Sequence, residues 1–291
     1  MRGRSLPDPL GWFSPTYDVT GKVVLVTGAG QGIGRELARV LSARGARLAL
    51  VDIDAVAAER AARELGDTAH GIGADVADRA QMRAAVATVI DRFGRLDVVV
   101  ANAGVTPVPA TVRTMDPADF DRVVAINLTG VFNTVQPALD HIVRRRGHVV
   151  VVSSCAAFAP GMGGSPYMLT KAAVEQLGRA LRVELAAHGA SAGVAYFGIV
   201  DTAMTHDMLD ADDLGRDLDN LLPWPLDVRI SAADAARTIA DGIARRAPRT
   251  IAPRGWEPYA LLRGAINVVL DSKLAADSRV HELVRAIESR G

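Results

Sequence analysis

Short runs of apolar residues alternate along this chain with longer segments whose apolar positions recur at helical spacing. The runs are VVLVT (23–27), RLALVD (47–52), HGIGAD (70–75), DVVVAN (97–102), HVVVVSS (148–154), SAGVAY (191–196) and RTIA (249–252). They are continuous rather than alternating, the pattern of strands buried on both faces. Between them lie stretches such as GRELARVLSARG and RAQMRAAVATVIDRFG, the second closed by a glycine that stops a helix. Strand–helix–strand repetition with short connections predicts an α/β fold, a doubly wound parallel sheet of about seven strands with helices on both faces. This rhythm fills residues 21–253 as one domain. Residues 1–20 are rich in proline and aromatics without periodicity and read as an N-terminal arm. Residues 254–291 read as two helices, a C-terminal extension beyond the last strand.

Composition narrows the function mainly by exclusion. Lys+Arg and Asp+Glu balance at 33 each, so no overall field favours nucleic acid or an anionic membrane. The single cysteine, Cys155, excludes an internal disulfide and fits a reducing cytosol. Lying beside Ser154 without a histidine at triad-like spacing, it reads as a packed thiol rather than a nucleophile. The N-terminus has no apolar run of signal-peptide length, and no stretch approaches the roughly 20 apolar residues of a membrane span. A cytoplasmic protein is expected. The six histidines form no paired-ligand pattern, so no metal is expected. The RRR run at 144–146 suits the end of a helix. One segment keeps a membrane reading open: five arginines between 245 and 263 precede the apolar AINVVL. Packing of that segment on a neighbouring subunit is the preferred expectation.

The chemistry begins in VVLVTGAGQGIGRELARVL, a strand, a glycine-rich turn and a helix in direct succession. Gly28, Gly30, Gly32 and Gly34 follow a G-x-x-x-G-x-G spacing, with Gln31 and Ile33 between them. Glycines let the backbone turn tightly and approach a pyrophosphate at a helix N-terminus, where free N–H groups and the dipole meet negative charge. Asp52 ends the second strand, where a carboxylate accepts hydrogen bonds from an adenosine ribose. Together they define a dinucleotide site. Downstream, SPYMLTK (165–171) places Tyr167 four residues before Lys171. On a helix both would face one cleft. A nearby ammonium favours the phenolate and so is expected to lower the tyrosine pKa.

From about Lys22 to Pro253 these residues resemble the short-chain dehydrogenase/reductase family, which implies a Rossmann-like fold. TGAGQGIG (27–34) resembles the family's cofactor loop, and ADV (74–76) the segment that sets Asp75 and the Val76 backbone against adenine. NAG (102–104: Asn102, Ala103, Gly104) resembles the turn closing the fourth strand, and NLTG (127–130) the segment carrying the active-site Asn127. Ser154 lies at the family's usual spacing before Tyr167, and Lys171 completes the set. The resemblance implies Tyr167 as proton donor and acceptor, Lys171 as holder of the nicotinamide ribose, Ser154 as partner of the substrate oxygen, and Asn127 as the post of a water leading to Lys171. Ser153, next door, does not fit the spacing. After the sixth strand the family usually has Pro-Gly; here Phe197 replaces the proline, while Gly198, Val200 and Thr202 remain to cover the nicotinamide. The Phe197 ring is expected to shape the substrate pocket.

The implied activity is hydride transfer between a nicotinamide cofactor and a secondary alcohol or ketone. NAD is expected over NADP, because Asp52 would repel the extra phosphate and neither Ile53 nor Gln31 offers a cation. Arg35 is the one basic residue close enough in sequence to complicate that choice. The segment 204–226, rich in Met, Leu and Trp, reads as a lid over an apolar substrate. The resemblance further implies a homotetramer or homodimer built on long helices at 119–145 and 166–187. An NADP-linked carbonyl reductase and a non-catalytic dinucleotide sensor on the same fold remain the alternatives.

Overall fold

Residues 17–210, 216 and 227–290 are described by a computed structural model of the chain. Most of the N-terminal arm and most of the 204–226 segment fall outside them. Seven strands form one parallel sheet in the order β3 (Ala69–Gly73), β2 (Arg47–Asp52), β1 (Val23–Thr27), β4 (Val98–Ala101), β5 (His148–Val152), β6 (Ser191–Phe197) and β9 (Arg249–Ala252). A second, two-stranded parallel sheet pairs β7 (Ile199–Asp201) with β8 (Arg229–Ser231). The doubly wound sheet is as the apolar runs predicted. The small sheet was not foreseen, because two three-residue strands leave no periodicity to read.

Side-chain alternation along each strand feeds two cores. Val24, Val26, Leu48, Leu50, Val98 and Val100 pack under α1 (Gly32–Ala43), α2 (Ala55–Leu65) and the later helix α9 (Ala232–Arg245). Val23, Leu25, Val99, Val149 and Val151 face α3 (Arg79–Phe93), α7 (Ser165–Ala186) and the helical run between them. That run comprises α4 (Pro117–Val124), α5 (Gly130–Val135) and α6 (Leu139–Arg145). It corrects the expectation of a single helix over 119–145. A π turn at Ala125–Thr129 and a 3-10 turn at Gln136–Ala138 interrupt it. The π turn admits an extra residue per turn and carries Asn127, which it turns inward until it is fully buried.

The helices begin where side chains satisfy their free N–H groups. Asp54, Asp78, Asp116 and Ser231 each accept a backbone N–H of the first turn of α2, α3, α4 and α9. Helix α7 lies unusually close to the sheet. A Cβ at Gly178 would sit 2.6 Å from methyl carbons of Val151 and Val194, so only glycine permits this approach.

Beyond β9 come α10 (Glu257–Ala276) and α11 (Ser278–Glu288), the two helices anticipated after Pro253. Short α8 (Ala203–Thr205) follows β7. Three of the five arginines that suggested a membrane surface are engaged inside the fold. Arg246 bonds the carbonyls of Arg146 and Gly147, Arg249 pairs with Glu257, and Arg263 pairs with Glu175. These three are half-buried, while Arg245 and Arg254 are exposed. Among the described residues no helix is long and apolar enough to cross a membrane.

At the opposite end of the central strands from the glycine turn, Asp97 is 1% exposed. It accepts the Val23 N–H at 3.0 Å and two Arg95 bonds at 2.6 and 2.7 Å, tying the starts of β1 and β4 together. Replacing Asp97 by alanine orphans a buried N–H and strands a guanidinium, and should cost about 3 kcal/mol. Urea unfolding should show a lower midpoint at unchanged m-value.

Candidate active site

The chain reverses sharply at the carboxyl end of β1. Gly28 and Gly32 lie at φ +63° and +53°, and a Cβ on Gly28 would come within 2.9 Å of the Ala103 backbone. A Cβ on Gly34 would lie 2.1 Å from the Gly28 carbonyl oxygen. The loop folds on itself and against the next turn, leaving the first N–H groups of α1 facing outward with no side-chain cap. Its position is held by a stitch that the sequence did not reveal. Thr27 Oγ1 accepts the N–H groups of Asn102 (3.0 Å) and Ala103 (3.2 Å), while Asn102 Nδ2 donates to the Thr27 carbonyl at 2.9 Å. From the other side Asp52 accepts the Gly30 N–H at 2.8 Å and the Asp54 N–H at 3.1 Å.

These elements border a cleft of about 580 Å³. Of the residues singled out in the sequence, it is lined by Gly28, Gln31, Gly32, Ile33, Asp52, Ile53, Asp75, Val76, Asn102, Ala103, Gly104, Ser154, Tyr167, Lys171, Gly198, Val200 and Thr202. Gly30, Gly34 and Asn127 do not line it. Gly30 packs against Asp52 and Ala57, Gly34 against Gly28, and Asn127 lies behind the wall. There Asn127 Nδ2 donates to the Val105 carbonyl and its Oδ1 accepts the Val105 N–H, both at 2.8 Å. Its side chain therefore fixes the loop after β4. Ala74, Val105, Ile126, Val152 and Ala203 also line the cleft without having been foreseen, since apolar and small residues carry no chemical signature in a sequence, and Met204 and Thr205 line it from the start of the segment read as a lid. Asp75, Asn102, Ser153 and Ser154 were read as strand and instead lie just past the strand ends, where the chain leaves the ladder and can face a ligand.

Helix α7 brings Tyr167 and Lys171 to one face, as their spacing required. Lys171 is 4% exposed; its Nζ donates to the Val152 carbonyl at 3.1 Å and lies 5.4 Å from the centre of the Tyr167 ring. Burial lowers the Lys171 pKa to about 8. Burial also raises Tyr167, against a lowering by its hydrogen bond to Ser154. The expected lowering of Tyr167 by Lys171 is therefore corrected for the protein by itself. Both groups are desolvated, and desolvation favours the neutral form of each. The two serines separate cleanly. Ser153 Oγ donates to the Lys171 carbonyl at 2.7 Å and anchors α7, while Ser154 Oγ donates to the Phe197 carbonyl at 3.2 Å beside Tyr167. Cys155 is buried, and burial pushes its thiol pKa up, which leaves it inert.

Phe197 borders the cleft at the end of β6. Its side chain is 3% exposed in the core beneath α1 and α9, and its backbone continues the β6–β9 ladder against Ala252. It extends the strand, and its ring packs into that core. Beyond it, Thr202 caps α8 and its methyl faces the Gly32 position at 3.7 Å, so this segment closes over the glycine turn.

The chain's fold and cleft define a doubly wound α/β protein with a ligand-sized cleft at the carboxyl ends of its central strands. Comparisons agree. The short chain dehydrogenase family model matches residues 22–213. The chain is 34% identical over 200 residues to 2-(R)-hydroxypropyl-CoM dehydrogenase of Xanthobacter autotrophicus, covering 66% of this chain and 80% of that one. It superposes on the 3-ketoacyl-(acyl-carrier-protein) reductase of Brucella melitensis complexed with NADH, with TM-score 0.71 and 28% identity over 81% of this chain and 99% of the other. A Burkholderia phymatum short chain dehydrogenase/reductase in complex with NAD shares the fold at TM-score 0.77 and 23% identity, covering 88% and 96%. The chain belongs to the short-chain dehydrogenase/reductase family, whose members bind nicotinamide cofactors. The cleft suits such a group: its volume is that of a ligand site, and its glycine cradle leaves no room for side chains.

His206, just after α8, ties the segment that overlies the cleft. Its Nε2 meets Asp201 and its Nδ1 meets Asp210, each at 2.6 Å, and Arg229 of β8 holds Asp210. Neutral imidazole has one N–H, so both contacts require the protonated ring. The two carboxylates, Asp210 first, raise the His206 pKa. The tie is therefore complete below the ordinary histidine pKa of about 6.5 and is lost as pH rises through the higher folded value. Hydrogen exchange of residues 202–210, corrected for intrinsic rates, should accelerate across that rise. His206→Gln should remove the pH dependence.

Proposed function

We propose that this protein is an NAD-dependent oxidoreductase that interconverts a secondary alcohol and its ketone, with an apolar substrate. The observation that carries the reading is the convergence of Ser154, Tyr167 and Lys171 on the cleft that the glycine turn borders. NAD, when bound, supplies the hydride-exchanging ring. Tyr167 then gives its phenolic proton to the ketone oxygen in reduction and takes the alcohol proton in oxidation. Lys171, with a pKa of about 8, is near its midpoint at mildly alkaline pH, and its ammonium form favours the phenolate. Ser154 turns its O–H from the Phe197 carbonyl to the substrate oxygen and stabilises the charge that develops there. Thr202 and the Val105 loop exclude water from the two sides. Residues 21–253 act as the catalytic unit, in the cytoplasm and as a homotetramer or homodimer. Tyr167→Phe keeps the ring but lacks the proton. It should bind NAD normally while turnover of secondary alcohols falls at least ~100-fold, the usual scale for a lost general acid–base. Calorimetric NAD binding and an alcohol-panel assay read the two quantities; near-normal turnover refutes the assignment.

The cofactor choice rests on charge around the adenosine end of the cleft. Asp52 has a carboxylate there, beside exposed and uncharged Ile53. Arg35, the one nearby cation in sequence, is bonded to Glu64, which Arg39 also holds. Its charge is already balanced, so Asp52 meets a ribose phosphate without a cation to offset it. We expect at least a tenfold higher kcat/KM with NAD than with NADP, about 1.4 kcal/mol of discrimination. The double substitution Asp52→Ala with Ile53→Arg should move the preference toward NADP; equal use of both by the unmodified enzyme contradicts this role of Asp52.

A further inference from the structure

We propose that the C-terminal helices form the outer frame of the substrate mouth, and that Ile287 and Glu288 are positioning residues that hold it at the width of an uncharged, apolar substrate. This rests on the alcohol–ketone reading above. The family match ends at residue 213, so α10 and α11 lie beyond it. Two loops flank the chemistry. One, Phe158–Gly164, joins the turn after Ser154 to the start of α7, three residues before Tyr167. The other follows Gly104 and leads to α4.

The C-terminal helices grip the first loop at both ends. The Phe158 carbonyl accepts Asn267 Nδ2 at 2.7 Å and Tyr259 OH at 3.3 Å, both from α10. At the far end, Gly163 has φ +73°, and a Cβ there would lie 3.0 Å from Cδ1 of Ile287, a residue 1% exposed on α11. The second loop is tied to the same turn of α11. Ala110 N donates to the Gly163 carbonyl at 3.0 Å, joining the loops directly. Thr111 Oγ1 (2.9 Å) and Arg113 Nε (3.1 Å) both donate to Glu288 Oε1.

Neither 102–112 nor 153–164 contains a charged side chain, so a substrate between these loops meets an uncharged surface. Arg113 is the first charge past them, and Glu288 neutralises it. A loop with glycines at 161, 163 and 164 would otherwise lose considerable chain entropy each time a substrate ordered it. The frame removes that cost in advance, so its loss weakens substrate binding. The reacting groups are held separately, α7 by Gly178 and by the Ser153 bond to the Lys171 carbonyl. The expected signature is thus a change in KM without a change in kcat.

The test compares the full-length enzyme with Glu288→Gln, Arg113→Glu and the charge-swapped pair Arg113→Glu/Glu288→Arg. In Glu288→Gln, substrate KM should rise about threefold to fivefold, the scale of a weakened exposed ion pair, with kcat and the NAD Kd within about twofold. Without any ligand, hydrogen exchange in 105–116 and 158–164 should accelerate in both single variants. The swapped pair should restore slow exchange and low KM. Unchanged exchange and KM in Glu288→Gln overturn the proposal. So does a joint fall of kcat, NAD affinity and Tm, or a swap that rescues nothing. Turnover with unchanged KM and exchange refutes the frame and leaves the reaction standing. NAD binding and responsive loops without turnover of any secondary alcohol refute the reaction and leave the frame.

Discussion

The cleft exists because β1 and β4 are hydrogen-bonded neighbours whose chains depart to opposite faces of the sheet, β1 into α1 and β4 toward α4. A gap opens at their carboxyl ends, where ligands of doubly wound sheets bind. Left alone, that gap would expose unpaired backbone groups of both strands. Thr27 and Asn102 close it by exchanging bonds between side chain and main chain across the two ends. With that stitch in place, the glycine turn rests on Ala103 at a distance no side chain would permit, and the N-terminus of α1 is aimed into the cleft. Everything further along the chain that touches the cleft is positioned relative to this junction.

The catalytic side shows a different economy. Lys171 is buried and Tyr167 partly so, and desolvation pushes each toward its neutral form. A buried ammonium costs stability, and functional sites commonly carry such a cost. Rigid support makes it tolerable here. Gly178 seats α7 against Val151 and Val194, Ser153 binds its backbone, and the Val152 carbonyl receives the Lys171 ammonium. Asn127 fixes the adjacent loop through both polar atoms of its side chain, from a π turn that departs from regular helix to place it there.

The strand ends and α7 lie within the stretch shared with short chain dehydrogenases, whereas α10 and α11 lie beyond it. Those two helices bury Tyr259, Val280, Leu283 and Ile287, and reach the loops on either side of Tyr167.

Much of this was legible in the sequence because it depends on local periodicity and on short motifs. Continuous apolar runs fixed the parallel sheet, glycine spacing fixed the tight turn after β1, and an i, i+4 pair on a helix fixed the relation of Tyr167 to Lys171. What the sequence could not supply were facts of neighbourhood between distant segments. The Thr27–Asn102 stitch spans 75 residues, the Arg263–Glu175 pair 88, and the Thr111–Glu288 bond 177. The pKa of Tyr167 also waited on structure, since burial, a property of the whole fold, raises it against the hydrogen bond from Ser154. Phe197 taught the same lesson: its replacement of a proline was visible, but only packing decided that its ring turns into the core. Local pattern determines which elements form; which side chains meet is settled by long-range packing, where solvent is excluded and no sequence spacing records the contact.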